Sequence, residues 1–283
     1  MQFQNSINAV IDYSAEVPYI TFPALSELPF IRHGFSTRLG GVSEGMFESM
    51  NLGSESSGYG DDPEKIKINY ERIAGSIGID PRSIVVSKQV HKTNIRLVTE
   101  EDRGKGLYIP RDYEEIDGLV TDRPGVTLVT KYADCVPLYF VDRKNRAIGL
   151  THSGWRGTVS KIGKKTVEEM MNFFGTNPED LTAVIGPSIC NNCYEVGEEV
   201  AQVFQDAFSR IGYNMNQILV KINPGSYQLN LWEVNRCILM EAGLKVEKIH
   251  VSGVCTACNS DLLFSHRKTG GKRGSLAAFL ALI

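Results

Sequence analysis

Long apolar runs are missing from this chain, and no window approaches the length needed to cross a bilayer. The stretch Met1 to Asp12 holds no basic run followed by an apolar segment, so export is not expected and a cytoplasmic location is. An excess of one charge is missing too. The chain carries 30 Lys and Arg against 33 Asp and Glu, a formal net charge of -3, which excludes the broad positive field that nucleic acids or anionic membranes attract. Internal repeats, heptads and low-complexity tracts are also absent. Small molecules, rather than nucleic acid or membrane, are the partners this leaves, and nothing in the composition fixes an oligomeric state.

What is present is an ordinary globular composition, 283 residues with 42% hydrophobic and 27 glycines, enough for a sizeable core. A single continuous domain over residues 1–283 is the simplest organisation. Six cysteines in a chain of this size without an export signal point to metal binding or catalysis rather than to disulfides.

Periodicity sets the elements. Ile66, Ile68, Ile73 and Ile77 among charged residues predict an amphipathic helix from Pro63 to Ile77, with Asp61 and Asp62 in front as caps. The Gly/Ser-rich piece from Gly53 to Asp62 reads as the longest loop. Short Val- and Ile-rich runs predict strands at Ile84 to Val86, Ile95 to Val98, Gly118 to Thr121, Val126 to Thr130, Pro137 to Val141 and Ala147 to Thr151. The polar turn Arg143-Lys144-Asn145 folds two of these into an antiparallel hairpin, with Cys135 and His152 near its open end.

After Gly157 the spacing of Val159, Ile162, Val167, Met170, Met171 and Phe174 predicts one helix ended by Gly175. Strands at Ala183 to Ile185, Ile218 to Ile222 and Lys248 to Val251 then alternate with helices over Gly197 to Ile211 and Leu229 to Ala242, before a final apolar stretch, Leu276 to Ile283. Mixed elements with an antiparallel hairpin indicate an α+β fold, a layered sandwich with mixed sheets.

The chemistry concentrates in three segments. Gln89-Val90-His91, Ala133-Asp134-Cys135-Val136-Pro137 and Thr151-His152-Ser153-Gly154-Trp155-Arg156-Gly157 are polar and glycine-rich around two imidazoles and a thiol. His91, Cys135 and His152 would suit one zinc ion, leaving a fourth position open for water or substrate, as catalytic zinc requires. Spacing alone does not decide the matter, since no HxxxH or CxxC joins these three, and buried cysteines and lone histidines are often structural. Arg38, within Ser36-Thr37-Arg38-Leu39-Gly40-Gly41, and Arg156, at the predicted helix start, are candidate phosphate ligands. Asp134 is a candidate general acid or base, and Gln89, two residues before His91, a candidate for a nucleobase or sugar hydroxyl. Asp117 fits either the site or a turn. Cys190-X-X-Cys193 and Cys255-X-X-Cys258 lie 255 − 193 = 62 residues apart, wider than a usual finger, which favours buried thiols or a redox pair over a second metal.

These segments closely resemble the YfiH/YlmD family. The likeness runs from His33-Gly34-Phe35-Ser36-Thr37-Arg38 and Asn51-Leu52-Gly53 through the three segments above and Asp117-Gly118-Leu119-Val120-Thr121. It continues in Ile185-Gly186-Pro187-Ser188-Ile189, Cys193-Tyr194-Glu195-Val196-Gly197 and Phe264-Ser265-His266-Arg267. The resemblance implies a layered sandwich similar to toxin cysteine hydrolases, and zinc held by His91, Cys135 and His152. It also implies phosphorolysis of adenosine, guanosine, inosine and methylthioadenosine, with deamination of adenosine. Ser36, Arg38, Asn51, Gln89 and Arg156 would then contact substrate or phosphate, with Asp134 and Arg156 catalytic. The family was long labelled a copper-dependent laccase, and copper could take the same three ligands. Five histidines with no His-X-His pair are nevertheless too few for a multicopper cluster. A hydrolase with Cys135 as nucleophile and His152 as base is the other alternative.

Overall fold

The computed structural model describes residues 3, 7–53, 55–56, 59–209 and 213–283. Two six-stranded sheets lie face to face. The first runs Val10–Asp12, Tyr19–Thr21, Ile31–Ser36, Leu276–Leu282, Thr127–Tyr132, Ile84–Val86 in spatial order, and the second Ile249–Val251, Leu181–Ile185, Val136–Asp142, Ala147–Ser153, Gly118–Thr121, Ile95–Leu97. Each sheet mixes antiparallel and parallel pairs, the latter being Ile84–Val86 on Thr127–Tyr132, Ile95–Leu97 on Gly118–Thr121, and Leu181–Ile185 on Ile249–Val251.

Alternation along each strand assigns the layers. In the C-terminal strand, Leu276, Ala278 and Leu280 join Phe35, Leu128, Tyr139 and Leu150 between the sheets, while Ala277, Phe279 and Ala281 turn to the other side. There they meet Ile66, Tyr70, Ile73 and Ile77 of the helix Pro63–Ile77. The second sheet sends Val120, Leu138 and Phe140 outward against Val167, Met170, Phe204 and Ile238 from the helices Ile162–Phe174, Glu198–Phe208 and Leu231–Glu241. The result is the expected α+β sandwich, with helices outside both sheets. Leu276–Leu282 is buried along its whole length because it is a central strand covered on both faces.

The helix Pro63–Ile77 has the expected bounds. Asp62 accepts the Glu64 N–H at 2.9 Å, and Gly78 ends the helix in the left-handed region at φ 79°, the N-cap contributing about 1 kcal/mol. The hairpin is also as expected, with Pro137 opposite His152 and Asp142 opposite Ala147. Elsewhere the structure differs. The helix after the hairpin begins earlier, at Trp155, stops at Val159, and resumes as Ile162–Phe174, because Lys161 takes a left-handed turn at φ 56°. Ile218 ends a one-turn helix rather than opening a strand. Within the piece from Gly53 to Asp62, Glu55–Ser56 pairs with Tyr59–Gly60, and residues 54, 57 and 58 lie outside the described residues. Ile211 lies outside them as well. Among the described residues no helix is long and apolar enough to cross a membrane.

Candidate metal centre

Three chain segments converge at the open end of the hairpin. His152 sits near the end of the strand Ala147–Ser153, and Cys135 immediately precedes Val136–Asp142. Pairing of these strands brings them together across 17 residues of sequence, since 152 − 135 = 17. His91 arrives on the loop after Ile84–Val86, with φ 64°. One ligand atom from each of the three lies within 4.8 Å of the others. His91 Nε2 is 3.9 Å from Cys135 Sγ, and the two imidazole centroids are 4.8 Å apart.

Asp117 holds this arrangement. Its buried carboxylate bonds His152 Nδ1 at 2.8 Å and accepts the successive N–H groups of Val90, His91 and Lys92 at 2.9 to 3.0 Å. A left-handed His91 costs about 1 kcal/mol, and these bonds to one anion offset it. The Nδ1 contact leaves the other imidazole nitrogen of His152 for a ligand, the usual carboxylate–histidine–metal arrangement. Burial works against the Asp117 charge, but His152 and the loop amides hold its carboxyl below the ordinary range.

The same fields act on the ligands. Burial would raise the Cys135 thiol, yet His152 and His91 pull it down to about 6. Burial would lower His152, yet Cys135 and Asp117 bring it up to about 9. The pair thus favours the thiolate that metal ligation requires, and an arriving cation would displace the proton that the same charges hold on His152. Close packing completes the cradle: a Cβ on Gly154 would stand 2.8 Å from His91 Cδ2 and 3.2 Å from Cys135 Sγ. Two imidazoles and a thiolate, oriented and unobstructed, are able to bind a metal ion and suit zinc.

The centre forms part of the wall of a cavity of about 480 Å³, also lined by Trp155, Tyr194, Asp134, His266, Arg267 and Arg273, a size that accepts a small-molecule ligand. Asp134 sits there at φ 87°, with its carboxylate accepting from Thr256 Oγ1 at 2.6 Å and the Arg267 N–H at 2.7 Å. Arg273 spends Nη1 on Gly274 O and Ser275 Oγ, while its Nε is buried without a hydrogen-bond partner. Burial lowers the Arg273 proton affinity, and Asp134 and Cys135 raise it.

The other expected contacts are placed differently. Arg38 does not reach the cavity. Its guanidinium donates to Glu48 O and Ser260 O at 2.8 to 3.0 Å and stacks on Phe264, so it braces its own glycine-rich loop. Ser36 Oγ is buried between strands, accepting from Ala277 N at 2.9 Å. Asn51 is fully buried and holds Gly53, Asp61 and the Ser275 N–H. Gln89 does line the cavity, but off a strand, and both ends of its amide are committed to the Lys131 main chain at 2.7 and 2.8 Å. Arg156 stacks on Trp155 at 4.2 Å and faces a neighbouring cleft with Lys92 and Asn94. The five-residue helix it sits in is too short to offer an anion site. The arginines that line the cavity are Arg267 and Arg273, not Arg38 or Arg156. The motif Phe264-Ser265-His266-Arg267 was the one signal for the first of them, and nothing in the local pattern marked the second.

A family model described as multi-copper polyphenol oxidoreductase laccase matches residues 32–283. The chain is 39% identical over 253 residues to purine nucleoside phosphorylase YlmD of Bacillus subtilis (strain 168), covering 88% of this chain and 87% of that one. It is 34% identical over 220 residues to adenosine deaminase RL5 from an unknown prokaryotic organism, covering 76% and 81%. The crystal structure of the Bacillus licheniformis hypothetical protein YfiH superposes with a TM-score of 0.87 at 34% identity, over 96% of this chain and 99% of that one.

Proposed function

Since the chain belongs to the YfiH/YlmD family, we propose that it is a zinc-dependent purine nucleoside phosphorylase that also deaminates adenosine. Relatives named for both activities support an enzyme acting on purine nucleosides. The single observation that carries the reading is the convergence of His91, Cys135 and His152 on the wall of a cavity that also presents two arginines.

His91, Cys135 and His152 would hold the zinc, which supplies a Lewis acid with one position left for water or a substrate oxygen. Arg267 and Arg273, both on the cavity wall, bind phosphate. Trp155 and Tyr194 give the purine aromatic surfaces beside that anion. Asp134, the one carboxylate among the described cavity residues, carries a proton to the departing purine in phosphorolysis or to the leaving amine in deamination. Its bond to the Arg267 N–H also fixes where the phosphate is held. Adenosine, guanosine, inosine and methylthioadenosine are the expected substrates.

The histidine positions support this reading over a multicopper one. His33 is buried with its Nε2 accepting the Phe22 N–H, and His250 faces a different cavity. Only His266 joins His91 and His152 at the site, too few imidazoles for a copper cluster.

The test is product analysis of zinc-loaded protein with adenosine, with and without phosphate. Adenine with ribose 1-phosphate only when phosphate is present, and inosine in either case, are expected. Metal-replete protein yielding neither product would sink the proposal. A second reading rests on the Cys135–His152–Asp117 alignment, which also fits a thiol hydrolase. Loss of activity on iodoacetamide treatment of metal-replete protein would favour it.

A further inference from the structure

The four remaining clustered cysteines meet for a topological reason. Leu181–Ile185 and Ile249–Val251 are parallel neighbours, so the chain leaves both at the same edge of the sheet. Ser188 continues the pairing with Cys255 as a parallel bridge. The two CxxC turns that follow, Cys190 to Cys193 and Cys255 to Cys258, are therefore set side by side despite the wide gap between them in sequence.

Their four sulfurs all lie within 4.8 Å of one another, and Cys193 Sγ to Cys258 Sγ is 3.5 Å. A disulfide would need about 2.05 Å. Four thiolates around a tetrahedral zinc, at Zn–S of about 2.3 Å, stand about 3.8 Å apart, a spacing that fits within the 4.8 Å limit and lies close to the 3.5 Å pair. The main chain is prepared for the charge: Cys190 N and Cys258 N both donate to Cys255 Sγ, at 3.3 and 3.4 Å. Cys190 and Cys255 are buried, and Cys193 and Cys258 half-buried, against Ile189, Ala257, Tyr194 and Trp232.

We propose that Cys190, Cys193, Cys255 and Cys258 bind a second, structural zinc ion. Binding releases up to four thiol protons to solvent, changes no oxidation state, and fills every coordination position, so this ion takes no substrate. It acts on the wall of the cavity. Ile189, beside Cys190, donates its N–H to Asp134 O at 3.0 Å, and Thr256, between Cys255 and Cys258, donates its hydroxyl to the Asp134 carboxylate. Tyr194, next to Cys193, lies under the Arg267 guanidinium at 5.2 Å. The proposal reverses the expectation drawn from the 62-residue separation, because strand pairing supplies the proximity that a short linker supplies in a zinc finger.

Elemental analysis of the full chain, purified without added metal, tests it. About two zinc ions per chain are expected in the unaltered protein, and about one in each of two double variants, His91→Ala/His152→Ala and Cys193→Ser/Cys258→Ser. The first variant isolates this site from the proposed catalytic one. Its cobalt-substituted form should show the intense thiolate-to-metal absorption of a sulfur-only site. A metal-free His91→Ala/His152→Ala protein, an unchanged zinc content in the cysteine variant, or a Cys193–Cys258 disulfide in non-reducing mass spectrometry would overturn the proposal. If the cysteine variant does not fold, mercurial titration of the intact protein decides. Zinc released in step with modification of these four thiols supports the site, and modification without release refutes it.

Discussion

Two sulfur-bearing clusters border the same cavity wall and are built in opposite ways. In one, a single thiol stands between two imidazoles, and the cavity leaves it reachable from solvent. In the other, four thiols face one another, with no other side-chain ligand among the described residues. The surroundings set the ionisation accordingly. Cys135 is pulled down to about 6 by the two histidines despite its burial, whereas burial and the neighbouring sulfurs push Cys193 up to about 11 and Cys255 higher still. A thiolate held ready beside an open cavity suits turnover, whereas in the sulfur-only cluster Cys255 pulls Cys190 down while Cys193 and Cys255 themselves are raised, so that those two ionise on meeting an ion.

The sharpest way to break this contrast is His152→Ala. If only the mixed cluster serves catalysis, the variant should lose adenine release by on the order of 10³-fold while the sulfur-only cluster keeps its metal. Retained activity would dissolve the distinction. A second measurement compares the thiols in chelator-treated protein. A lowered pKa keeps Cys135 as thiolate above about 6, so its iodoacetamide reaction should slow as pH falls through 6 and stay level above it. At pH 7 it should outpace Cys193 by about 10²-fold once the lower nucleophilicity of a weakly basic thiolate is allowed for. Equal rates would remove the electrostatic half of the comparison. The smallest effect concerns the arginines. Arg273→Ala should raise the KM for phosphate by about tenfold, the scale of one bond to a charged group, and Arg156→Ala should leave it unchanged. The reverse result would return the anion to the neighbouring cleft.

Of the mixed cluster, His91 comes from a separate loop and was joined to the other two only by the family resemblance, whereas Cys135 and His152 were legible as neighbours because a hairpin with a short polar turn brings its open ends together. The layered fold was legible for the same local reason, in strands and helices with clear periods. The arginines were not. A guanidinium in a glycine-rich loop has the same sequence whether it meets an anion or, as Arg38 does, the carbonyls of Glu48 and Ser260, the latter 222 residues away. Arg273 enters the cavity only because the last strand is threaded into the middle of the first sheet, and no local pattern encodes that placement. The break at Lys161 was hidden because Val159 and Ile162 keep helical spacing across it.

Asp117 gives both histidines a common reference point. Because the same carboxylate fixes the ring of one and the main chain of the other, an error in its placement would displace the pair together, preserving their separation while shifting both relative to Cys135. Their mutual geometry is thus protected from independent drift, and the whole arrangement is exposed to failure at one point.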